Sequence, residues 1–149
     1  MHTEKTERLF QEFPELFRRE RLIHGFACQD GWFELIRVLA GRLREHLVQY
    51  PHLKNLEIDK VQQRMGELQV KIRGGDAVVH NLIRKAEQES RLVCELDGKP
   101  AIGLFVCAPH WFRYLCETCS ELHGYMTIED YLSEEALATM AREQMQQTV

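Results

Sequence analysis

The chain has 149 residues, 44% hydrophobic and 28% charged, which suits one soluble globular domain with a real core and excludes a wholly disordered chain. Acidic residues outnumber basic ones 23 to 19, a net charge of −4, which argues against general DNA or RNA binding. The opening MHTEKTERLF lacks the apolar stretch of a secretory signal, and no run nears the ~20 apolar residues of a membrane span. Five cysteines, an odd number, then point to free thiols in a reducing compartment, the cytoplasm.

In chain order, Leu9, Phe10 and Phe13 share one stripe of a short helix over residues 6–13, which Pro14 ends. Arg18, Arg19 and Arg21 read as a solvated basic helix end. Asp30 is placed to cap a long helix that runs to about Tyr50. Its apolar stripe is Trp32, Leu35, Ile36, Leu39, Leu43 and Leu47, and Pro51 stops it.

Residues 56–72 read as a β-hairpin. Leu68, Val70 and Ile72 alternate with polar residues, and Met65–Gly66 forms the turn. Val61 is out of phase with Leu56 and Ile58, so a bulge or twist is expected there. Asp76 caps another helix, with Val79, Leu82, Ile83 and Ala86 buried and His80, Arg84, Lys85, Glu87 and Glu89 wet.

Short strands are expected at 93–94, 102–106 and 111–115, with a turn at 97–100 and a helix starting at 120–123. Thr127 with Asp130 makes one helix start and Ser133 a second, and a terminal helix through Leu137, Met140 and Ala141 frays near Gln146. The expected class is α+β: helices packed on a β-hairpin, a small zinc-ribbon-like β knuckle and a C-terminal helix. The expected plan is a single domain, with residues 1–92 as the helix–hairpin–helix core, 93–123 as the cysteine-rich knuckle and 124–149 as a helical tail.

The knuckle carries the chemistry. Cys116 and Cys119 form a C-x-x-C pair, whose turn sets two sulfurs on one side of an ion. Cys94 and Asp97 repeat that spacing with a carboxylate in place of the last sulfur, and Gly98 stands where the knuckle must turn. Eighteen residues separate Asp97 from Cys116, within the range of zinc ribbons. Asp97 can ligate zinc through oxygen; Cys107 is an alternative fourth ligand, with His110 and His123 weaker ones. Such a site would be structural, since it leaves no open position for water. The competing reading is a metal-free cluster of thiols serving as small buried apolar groups.

Pro14–Phe17 (PELF), Phe26–Trp32 (FACQDGW), Val61–Leu68 (VQQRMGEL), Gly74–Gly75 with Ala86–Glu87, and Cys94–Glu95 with Trp111–Cys116 (WFRYLC) occur in this order. Together they resemble a family of small uncharacterised phage and prophage proteins. The resemblance covers about residues 10–123 and leaves the tail as an addition. It implies two C-x-x-C or C-x-x-H pairs resembling zinc ligands, matched here at Cys94, Cys116 and Cys119 and departed from at Asp97. It implies a bacterial host cytoplasm and brings no established activity.

Three functions compete. The first is a protein-binding module without catalysis that holds a host or phage protein. Trp111, Phe112 and Tyr114 are candidate anchors, although at least two of these rings are expected to pack on the long helix. A specific form is an inhibitor of a bacterial nucleic-acid-guided defence complex, with Glu129, Asp130, Glu134 and Glu135 imitating phosphates. The second is a nucleic-acid-binding zinc knuckle using Arg64, Lys71, Arg73, Arg84 and Lys85. The third, an enzyme, is least supported: P-loop, G-x-G-x-x-G and H-E-x-x-H motifs are absent, and Leu115 stands where a zinc deaminase needs proline.

Overall fold

A computed structural model of the chain describes residues 1–53, 55–107 and 111–147. Its elements are α1 (Thr3–Glu12), β1 (Phe26–Ala27), α2 (Phe33–Gln49), β2 (Glu57–Arg64), β3 (Glu67–Arg73) and α3 (Ala77–Glu89), followed by β4 (Gly103–Cys107), β5 (Trp111–Leu115), α4 (Glu117–Leu122), β6 (Met126–Thr127) and α5 (Ile128–Gln147). The α+β class expected from sequence is what the chain adopts.

The main core lies between α1, α2, α3 and the first sheet. Leu9 and Phe10 of α1 meet the loop residues Phe13, Leu16, Phe17 and Leu22, and Phe26 sits in an aromatic cluster 5.4 Å from Phe10 and 5.0 Å from Phe17. Ile36, Leu39, Ala40 and Leu43 form the buried stripe of α2. Asp30 does not cap this helix. A 3-10 turn over Asp30–Trp32 precedes it, and the Asp30 carboxylate accepts from the backbone N–H of His2 at 2.7 Å and meets its ring at 2.6 Å. Arg19 and Arg21 are pinned rather than loose. Arg19 forks onto Glu7 and covers the Phe10 ring, while Arg21 reaches Glu57 at 2.8 Å.

The first sheet has the order β1-β2-β3. Met65 and Gly66 both take positive φ, the geometry of a two-residue hairpin turn matched to strand twist. The register shift falls between Ile58 and Lys60, two residues before the expected bulge, so Asp59 is the extra residue that puts Val61 back on the core face. Two residues of β1 pair in parallel with β2, Phe26 opposite Val61. On the other side, α3 blocks the edge of β3. The Leu68 N–H donates to Ser90 Oγ at 3.0 Å and the Val70 N–H to the Glu87 carboxylate at 3.1 Å. Glu87, expected on the wet face, is thus half-buried against the sheet. Asp76 caps α3 as expected, accepting from the Val79 N–H at 2.9 Å.

The second sheet has the order β5-β4-β6. Val93 makes only an isolated bridge to Pro100 rather than a strand. The next helix starts at Glu117, three residues before the expected start, and Cys116 is its cap. Thr127 opens α5 by accepting from the Asp130 N–H at 3.1 Å, whereas the Ser133 hydroxyl donates back to Glu129 O and starts no second helix. Gly66 joins the sheets through a bridge to Arg113. A methyl added to Gly66 would stand 2.7 Å from Leu104 Cδ1 and 3.6 Å from both Phe112 Cβ and a ring carbon of Tyr114, so the half-buried Tyr114 ring faces the hairpin turn. Trp111 is exposed. No helix among the described residues is long and apolar enough to cross a membrane.

Candidate metal centre

A second, smaller core holds Cys94, Phe105, Leu115, Cys116 and Cys119. Within it the sulfurs of Cys94, Cys116 and Cys119 and a carboxylate oxygen of Asp97 all lie within 4.8 Å of one another. Four ligands tetrahedral about zinc, with Zn–S near 2.3 Å, would be ~3.8 Å apart, so a small contraction closes this set on an ion. The cluster can hold a metal ion.

Backbone hydrogen bonds build both knuckles. The Gly98 N–H donates to Cys94 O at 2.9 Å, and the Cys94 N–H donates to Lys99 O at 2.7 Å. Gly98 has φ +78, the left-handed conformation this return requires. In the second half the Cys119 N–H donates to Cys116 Sγ at 3.4 Å, and β5 delivers Leu115 directly into Cys116. The backbone amides of Cys116, Asp97 and Leu96 point at the Cys94 sulfur. Amides aimed at sulfur favour the thiolate form that binds metal.

Asp97 Oδ2 lies 3.3 Å from Cys116 Sγ and 3.2 Å from Cys119 Sγ. Burial works against its charge, but the Lys99 amide and the three thiols donate to it and bring its carboxyl down to about 2. Burial, then the Asp97 acceptor, push the Cys119 thiol up, and burial does the same to Cys94. In the metal-free protein the Asp97 carboxylate takes hydrogen bonds from the Cys116 and Cys119 thiols. A bound divalent ion would displace the protons of those thiols.

Of the proposed fourth ligands, the structure brings Asp97 to the cluster and leaves Cys107 out. Gly103, at one end of β4, pairs with Leu115 beside the site, whereas Cys107 pairs with Trp111 at the other end. Four residues of strand separate the two ends by ~13 Å. His123 is exposed after α4 and is not in the cluster; His110 lies outside the described residues.

The surroundings hold a feature that sequence reading missed. Glu95, between Cys94 and the turn, is fully buried. Its carboxylate accepts from Arg113 Nη1 at 2.6 Å, the Gln29 N–H at 3.1 Å and Gln63 Nε2 at 3.3 Å, and Arg113 Nε donates to Tyr125 OH at 2.9 Å. This network ties the first sheet, the knuckle and β5 together. A lone arginine inside the aromatic run of β5 is the sequence signal that could have found it, because a buried cation needs a partner. The 3-10 turn before α2 completes the cradle. Gly31 N–H donates to Glu95 O at 2.8 Å, and Trp32 Nε1 donates to Val93 O at 3.1 Å. Burial, then the Glu95 charge, push the nearby Cys28 thiol up to about 12, so this cysteine is core rather than nucleophile.

No protein-family model, curated protein or solved structure matches this chain. What it does must be argued from the site and the surface.

Proposed function

We propose that this chain is a protein-binding module without catalytic activity, whose C-terminal side is held in shape by a structural zinc ion. The surface of α5 carries the binding reading. Its first turns pack on β4 and β6, yet Leu132, Leu137 and Met140 lie exposed among the exposed acids Glu129, Asp130, Glu134 and Glu135. Apolar anchors ringed by charge suit a protein partner, and Trp111, 58% exposed, offers an aromatic one. Zinc is favoured for the cluster because three thiolates and one carboxylate form a mostly soft tetrahedral set.

The partner in this reading is a host protein, and the specific form is inhibition of a bacterial nucleic-acid-guided defence complex, with the acids of α5 set against its phosphate-binding surface. The resemblance to small phage and prophage proteins supports that form. The nucleic-acid-binding alternative loses part of its basic stripe, since Arg73 is paired with Asp59 at 2.8 Å. A pull-down with the full chain tests the reading. It should retain a specific bacterial protein that is lost when Leu132, Leu137 and Met140 become serine. Retention unaffected by these changes, or strong salt-sensitive binding of random DNA or RNA instead, overturns it.

A further inference from the structure

We propose that the metal centre has one exchangeable corner, where a thiolate entering through the cleft beside α2 replaces the Asp97 carboxylate as the fourth ligand. The inference rests on the metal reading above and adds a binding activity to it. Three observations point the same way. First, the ligand set is asymmetric in burial: Cys94 is 0% exposed and Cys116 and Cys119 are 7% exposed, whereas Asp97 lies at the surface. Any ligand approaching the ion from solvent meets the carboxylate first. Second, Asp97 is the one oxygen donor among three sulfurs, and a borderline-soft ion gains by exchanging it for sulfur. Third, the displaced carboxylate has somewhere to rest, because its Oδ1 already accepts from the Lys99 N–H at 2.9 Å.

A cleft of about 400 Å³ is bordered by Asp97 and Gly98, with Phe33, Val38 and Val93 among its apolar lining; the three thiols lie behind the carboxylate and do not line it. It is large enough for a small thiol or for a cysteine side chain presented by a partner. Among the described residues, Asp30, Glu34 and Glu89 also line it against the single cation Lys5, so the preferred thiol is flanked by positive charge. The exchange balances without oxidant. The incoming thiol gives its proton to buffer, a metal–sulfur bond forms, and the metal–oxygen bond to Asp97 breaks. The freed carboxylate stays beside the ion, so the thiolate adds one negative charge to the site, which a positively charged thiol offsets.

Cobalt(II) loaded into the reduced full chain tests this, because its thiolate-to-metal absorption counts sulfur ligands. The protein alone should show three thiolates. Adding cysteamine should raise the charge-transfer band by about one third, as a fourth thiolate joins. The anionic 3-mercaptopropionate should do so only at much higher concentration. Asp97→Cys should start at the four-thiolate intensity and ignore added thiol. A short peptide with cysteine between lysines distinguishes the sources: saturation well below the cysteamine concentration indicates a partner's cysteine, and equal concentrations indicate a free small thiol. A three-thiolate spectrum that persists in excess cysteamine, or cobalt stripped from the protein by it, overturns the exchange while leaving the metal site standing. Failure to bind cobalt at all overturns the metal reading itself.

Discussion

Gly31 and Cys94 meet backbone to backbone: a methyl group on Gly31 would stand 2.1 Å from the Cys94 carbonyl oxygen and 2.5 Å from that of Glu95. The turn that opens α2 is therefore the floor on which the first metal knuckle is laid. Neither neighbour can yield, because both are main chain. Gly31→Ala should destabilise the protein by at least about 1–3 kcal/mol, the usual range for forced overpacking. Urea unfolding measures it, and a midpoint equal to that of the parent would show that the two backbones are not in register.

The cysteines should separate into two classes. Protein purified without added zinc should carry close to one equivalent by metal analysis, and a chelator should lower its melting temperature. Cys116→Ser or Cys119→Ser should abolish both effects. Cys107→Ser, remote from the cluster, should alter neither.

The buried Glu95–Arg113 pair should be expensive to break from either side. Glu95→Ala or Arg113→Ala strands the other charge, at an expected cost of about 3–5 kcal/mol. The double variant should cost less than the sum of the two singles, because it strands neither. A double-mutant cycle by denaturant unfolding reads this directly, and additive losses would mean that the two groups do not interact.

Glu87 gives a pH dependence with a definite sign. Burial raises its carboxyl above the ordinary glutamate value, against the pull of the Val70 N–H. A group raised on folding contributes stability that is present below its unfolded pKa and lost as pH rises through the folded one. Glu87→Gln keeps an oxygen for Val70 and removes the charge. It should therefore be more stable relative to the parent near pH 7 than at about pH 4. A gap independent of pH would count against the buried carboxylate.

Much of this was legible in the sequence, and for definable reasons. The stripe of α2, the alternation of β3, the turn at Met65–Gly66 and the Asp76 cap all follow from local periodicity or local hydrogen bonding, and all are present. The C-x-x-C spacing located Cys116 and Cys119, and the imperfect repeat located Cys94 and Asp97. What stayed hidden depends on partners distant in the chain. The strand β1 is two residues long and has no period to read. Asp30 had the residue type and place of a cap, but His2, twenty-eight positions away, occupies it. Glu95 gave no local sign of burial, since its partners come from positions 29, 63 and 113. Cys107 was a candidate only because strand direction cannot be seen in spacing.

The Ser90 and Glu87 caps on β3 reach beyond stability. Two amides that would otherwise wait as rungs for a visiting strand are already taken by side chains of the same molecule. Ladder growth at that margin would have to evict them first. Crowding this protein should therefore favour association through helical surfaces over the sheet-by-sheet stacking that leads to fibres.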